Sequence, residues 1–186
     1  VAAFVLVPDV IMKALFMRGA FSEVDALQSA RALAAYGAGL AALVLIRPLT
    51  VTFHSRGDTT TPVIAVAVAI AINVALKFAL MGPLGHVGLA TATSVGAWVN
   101  LSLLVLFARR KDLFTLDERA RRVLPKLLAS FAVLAATLLG MVFALRTVMG
   151  GGLNDKVALA VLMATGGIAY GATLILLFGK EFVGDL

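Results

Sequence analysis

Residues 53–81 read FHSRGDTTTPVIAVAVAIAINVALKFALM, and their reading decides the fold. A polar loop, His54 to Thr61, gives way at Pro62 to a run that reaches Met81 with two strongly polar side chains, Asn73 and Lys77. A helix of about 20 apolar residues crosses a hydrocarbon core of about 30 Å. Thr61 is placed to cap that helix and Pro62 to open it, where a missing N–H costs nothing. Large and small residues alternate from Val63 to Ala71, which taken alone would suit a strand. Run length, the cap and the lack of polar alternation predict a helix instead. Its alanines leave narrow faces on which another backbone can approach closely.

The rest of the chain is of the same kind. Of its 186 residues 61% are hydrophobic and 14% charged, and the mean hydropathy is +1.03, unlike an ordinary soluble domain. The absence of cysteine excludes a disulfide framework and cysteine-ligated metal. A formal charge of +6 would suggest nucleic acid in a soluble protein. In a membrane chain the charge is read loop by loop, and no nucleic-acid partner is predicted. Val1 already lies inside an apolar run, so the chain reads as a fragment lacking its start.

Working outward, residues 1–16 read as the end of a spanning helix interrupted at Pro8-Asp9. Asp9 is either a buried functional carboxylate or faces a water-filled cleft. Ser22 and Asp25 form a capping-box-like start for a helix that is predicted to end near Ile46, before Arg47-Pro48. That helix carries Arg31 and a Gly37-x-Gly39 pair read as a close-packing face. A tight turn, residues 82–88, leads to a helix from Leu89 to Ala108, in which Thr91, Thr93 and Ser94 can bond back to their own helix and Asn100 bonds either a neighbouring helix, the commoner case, or a substrate.

A basic linker, residues 109–126, follows, with Thr115 and Glu118 suggesting a short capped helix within it. Two further helices, from about Leu124 to Val148 and Val157 to Phe178, flank a glycine turn at 150–155, and Gly166, Gly167 and Gly171 mark close contacts in the second. The fold class is therefore an all-α, polytopic transmembrane bundle of six helices, the first truncated. Ten of the sixteen basic residues fall on the face holding Arg47, Arg56, the linker and Lys180. The positive-inside bias makes that face cytoplasmic, the carboxy terminus with it.

Little here resembles catalytic machinery. His54, Ser55 and Asp58 share one loop, but a triad is a spatial constellation held by a scaffold, and no phosphate-binding loop is present. No enzyme activity, cofactor or metal site is assigned. Asn73 and Lys77, four apart, share a helix face. A lysine at the bilayer centre costs about 2.5–3.5 kcal/mol. Either Lys77 snorkels past Met81 to water, or it is a fixed cation in a cleft with Asn73 and Thr93.

Four stretches together resemble the MviN/MurJ lipid II flippases: 14–21, with Arg18-Gly19-Ala20-Phe21; 32–36; 53–62, with Gly57-Asp58-Thr59-Thr60-Thr61-Pro62; and 82–94. The resemblance implies membership of the multidrug/oligosaccharidyl-lipid/polysaccharide exporter superfamily and a fourteen-helix, two-lobed fold, of which residues 1–108 would be the ninth to twelfth helices and 127–186 the last two with the tail. It further implies transport of a lipid-linked peptidoglycan precursor by alternating access, with that lipid-linked oligosaccharide and membrane lipids as partners. Some relatives place a cation site where Asn73, Lys77 and Thr93 fall, and Lys77 stands in place of the acid expected there. A non-transporting scaffold and a drug or polysaccharide exporter are the alternatives. The candidate residues are thus Asn73, Lys77, Thr93, Arg31 and Asp9, with Arg18, Gly19, Phe21, Gly57, Asp58, Thr59 and Pro62 as family motif.

Overall fold

A computed structural model describes residues 1–17, 19, 21–111, 113, 118–148 and 155–182. Six helices follow in order: α1 Ala2–Leu6, α2 Pro8–Phe16, α3 Glu23–Ser55, α4 Thr60–Arg110, α5 Glu118–Val148 and α6 Asp155–Phe182. No strand occurs among the described residues. Four helices, α3 to α6, are long and apolar enough to cross a membrane, as an all-α transmembrane bundle requires. Two compact units are present, one made mainly of residues 27–115 and the other of 6–26 with 116–186.

The local signals act largely as the chemistry dictates. The first apolar run breaks at Val7, whose φ of −132° and ψ of 39° are not helical, and Pro8 begins α2. Ser22 and Asp25 close a reciprocal box: the Asp25 carboxylate accepts from the Ser22 N–H at 3.0 Å, and Ser22 Oγ accepts from the Asp25 N–H at 3.2 Å. The start of α4 differs from expectation. Its capping acceptor is Asp58, whose Oδ1 takes the Thr61 N–H at 3.0 Å, while the Thr61 hydroxyl donates to the same carboxylate. A carboxylate is the stronger acceptor at the positive end of a helix, so Thr61 is drawn inside and Pro62 still falls among the N–H groups that lack helical partners.

Pro48 does not end α3, which continues to Ser55. An internal proline costs about 3 kcal/mol. The offset lies beyond it, where Phe53 is fully buried with Ala65, Leu104 and Ala108, and Leu49 packs against them. Thr52 also donates its hydroxyl to the Pro48 carbonyl at 2.9 Å. At the other side of the basic stretch, α5 begins at Glu118, ahead of the predicted Leu124. Arg119, Arg121, Arg122 and Lys126 thus lie on helical backbone. Thr115, the glycine turn at 150–154 and the tail at 183–186 lie outside the described residues.

The 51-residue α4 is two antiparallel arms. Gly85, at φ 54° and ψ −130°, leaves helical geometry, a conformation glycine alone adopts without strain. Beyond it the chain retraces itself: the Asn73 amide donates to the Ala92 carbonyl at 3.2 Å, and a Cβ on Gly88 would strike the Leu80 carbonyl. The predicted pair of helices is therefore present, joined by a tight turn at Gly85.

Small residues set the packing in the first unit. A Cβ on Gly39 would lie 2.5 Å from Ser94 Oγ and 2.8 Å from Ser94 Cα, and one on Gly37 would lie 2.8 Å from Phe4 Cβ. The Gly37-x-Gly39 face is thus a packing face. Ser94 does not bond its own helix but donates across to the Ala35 carbonyl of α3, and Trp98 Nε1 donates to Ala38. In the second unit α5 packs on α6, with Leu138 and Leu162 buried and Leu138 Cδ2 3.2 Å from a Cβ on Gly166. Gly167 and Gly171 have no described atom within 4 Å of an added Cβ, so their predicted close contacts are not made there.

Gly39→Ala should destabilise the protein by about 1–3 kcal/mol, because Ser94 Cα and backbone must move. Gly140→Ala, with open space around the new methyl, should be neutral or slightly stabilising. Equilibrium unfolding in detergent distinguishes them, and equal effects would refute the packing argument.

Candidate functional site

Helix α3 and the two arms of α4 border an open cleft of about 270 Å³ in the first unit, lined in part by Leu43, Ile46, Asn73, Thr93, Gly96 and Asn100. Its polar residues arrive by periodicity. Thr93 and Asn100 are seven apart, two helical turns, so both project on one side of the second arm. Asn73 reaches them from the first arm because Gly96 leaves no side chain in the way: a Cβ there would lie 2.9 Å from Asn73 Cβ. Thr93 donates to Leu89 at 2.9 Å, which occupies its proton and leaves lone pairs. Asn100 is only 7% exposed, and its Oδ1 has no hydrogen-bond partner among the described residues. The bond to a neighbouring helix expected of Asn100 is made instead by Asn73. An orphaned amide carbonyl costs about 1–3 kcal/mol, a cost tolerated here at a polar cleft.

Other candidates stand apart from this cleft. Lys77 is half-buried, makes no hydrogen bond or ion pair with a described residue, and is not among the residues lining the cleft. Arg31 is exposed, and Asp9 is half-buried in the first turn of α2. Gly19 has φ +61°, and Phe21 lies with Phe16 at a ring-centroid distance of 6.3 Å. Arg18 lies outside the described residues.

The Gly57 to Pro62 motif builds a second, more ordered feature. Gly57 takes φ +73°, turning the chain sharply after α3 so that the Asp58 N–H reaches the Phe53 carbonyl at 3.0 Å. Asp58 is thereby fixed to cap α4 and to meet Lys111, whose Nζ lies 2.5 Å from Asp58 Oδ2 and 2.9 Å from Thr61 Oγ1. Thr59 is exposed. The Lys111 ammonium and the Thr61 donors hold the Asp58 carboxyl well below the usual carboxylate range. His54 bonds neither Ser55 nor Asp58, and Ser55 donates to Thr52, so no triad forms. Lys111 and the tie from Ser94 to α3 went unassigned by sequence, and Asn100 was expected as an interhelical bond rather than as a cleft residue. Lys111 pairs across 53 positions, and within a run of three basic residues nothing marks it out.

Fold and cleft together define a multi-pass helical membrane protein with a few polar side chains gathered at an open cleft between its helices. A family model described as lipid II flippase MurJ matches residues 1–173. The probable lipid II flippase MurJ of Rhizobium meliloti is 36% identical over 74% of this chain and 26% of its own length. That of Vibrio cholerae serotype O1 is 33% identical over 88% of this chain and 31% of its own length. The lipid II flippase MurJ of Burkholderia cenocepacia is 35% identical over 65% of this chain and 23% of its own length. The chain belongs to the MurJ lipid II flippase family, and it spans a third or less of the length of these relatives.

Because the folded-state pKa of Asp58 lies below its unfolded value, its contribution is complete above about pH 4 and is lost as pH falls below that. The difference in melting temperature between the native protein and Asp58→Asn should therefore be constant from about pH 8 to pH 5 and narrow below about pH 4. A difference that vanishes near neutrality would contradict the assigned ion pair.

Proposed function

We propose that the protein to which these helices belong moves lipid II, a lipid-linked peptidoglycan precursor, from the inner to the outer leaflet of the bacterial plasma membrane by alternating access. The family match across residues 1–173 carries this reading. The physical demand is a polar path, shielded from lipid, for a pyrophosphate and sugars, beside an apolar surface for the tail. Asn73, Thr93 and Asn100 meet part of the first demand within the first unit, where a hydrogen-bonding group inside a hydrophobic bundle otherwise carries a cost. No covalent bond changes in such a process, so carboxylate pairs and nucleophiles have no part to play.

The basic end of the first unit faces the cytoplasm in this reading, with Arg56 and Arg110 on it and the His86 turn outside. A membrane-impermeant thiol reagent added to intact cells should label His86→Cys and not Arg56→Cys. The reverse pattern would invert the topology.

The decisive test of function is rescue of a flippase-depleted bacterium by the full-length gene, and failure despite correct membrane insertion would refute the proposal. The same assay reads Lys77. Its lack of any partner among the described residues supports the reading of a snorkelling anchor, whose stem would pack on lipid while the ammonium reaches water. Lys77→Met should accordingly support growth at normal protein levels. Loss of rescue would put the charge of Lys77 in the transport path.

A further inference from the structure

The two ends of α4 carry opposite charges at one place. Asp58 stands at the amino-terminal pole of the first arm, accepting the Thr61 N–H at 3.0 Å. Lys111 follows the carboxy-terminal pole of the second arm, its own N–H bonded to the Phe107 carbonyl at 3.1 Å. A carboxylate is favoured at the first kind of pole and an ammonium at the second. Because α4 turns back at Gly85, those poles lie side by side.

An exposed lysine–carboxylate pair by itself adds little. Here the carboxylate is fixed in advance. Asp58 is tied by backbone to Phe53, which is fully buried with Ala65 of the first arm and Leu104 and Ala108 of the second. Lys111 meets two acceptors at once, Asp58 Oδ2 and Thr61 Oγ1, so two polar contacts share the cost of ordering one side chain. The opposite end of the hairpin is closed by the chain at Gly85. Between these closures, among the described residues, the other polar tie from arm to arm is Asn73 to Ala92, and that tie borders the cleft.

We propose that Asp58, Thr61 and Lys111 form a clasp that fixes the separation of the two arms of α4 and, through it, the opening of the cleft at Asn73, Thr93 and Asn100. Lys111 is a positioning residue in this scheme: it touches no cleft residue and acts by holding the arm that carries Thr93 and Asn100 against the arm that carries Asn73. Arginine in its place preserves the charge at the helix end and the fork of donors needed for two acceptors. Methionine preserves length and removes both.

The test places a single cysteine at Thr93 in an otherwise cysteine-free full-length protein and measures its rate of reaction with a small methanethiosulfonate reagent in membranes. Lys111→Met should raise that rate several-fold, Lys111→Arg should restore it, and a cysteine at His86, beyond the closed end, should react at an unchanged rate. Unchanged labelling at Thr93 overturns the clasp, as does equal acceleration at His86, which would signify general loosening. If Lys111→Met fails to reach the membrane, Asp58→Asn is read identically, since it keeps an acceptor for the Thr61 N–H while removing the charge. The readout is independent of lipid transport, so its failure and that of the flippase reading are separable.

Discussion

The first unit depends on how closely α3 approaches the second arm of α4. In a bilayer, apolar burial gives helices little reason to associate, and packing with interhelical hydrogen bonds must supply it. Gly39 against Ser94 allows backbones to come near enough for Ser94 to reach Ala35 and for Trp98 to reach Ala38. Both bonds require that spacing. With α3 held there, Ala42, Ala97 and Leu101 close the adjoining core, and Leu43 and Ile46 form one wall of the cleft. The distance between the arms of α4 acquires meaning only because a third helix is fixed beside them.

Where structure was legible in sequence, the determinants were local or periodic. The long apolar run after Pro62, the Ser22–Asp25 box, the break at Pro8 and the turn near Gly85 each follow from residues within a few positions of one another. Illegible features depended on distant partners. Pro48 is a strong stop signal locally, yet Phe53 is drawn into a core assembled from residues as far away as Ala108. The cap of α4 moved from Thr61 to Asp58 because a carboxylate there serves two masters, a helix end and a lysine 53 positions away.

The candidate cleft was half visible. Asn73 and Thr93 stand out as polar residues in apolar helices, and they do meet at one cavity. Lys77 shares the helical face of Asn73 by spacing, one turn further on, and is not among the residues that line this cavity. Asn100 looked like a routine interhelical bond. That its carbonyl finds no partner among the described residues emerges only from the three-dimensional arrangement, which no one-dimensional pattern conveys.

The fold-back of α4 bears on how the chain is made. The Asn73 amide finds its acceptor nineteen residues downstream, on the returning arm. A lone first arm would enter lipid with that amide unmatched, which is unfavourable in hydrocarbon. Paired with its successor, the amide is satisfied, and both ends of the hairpin stay on one side of the membrane. The hairpin geometry therefore favours entry of the two arms as a linked pair, and residues 82–88, which join them, carry no lysine, arginine or acid.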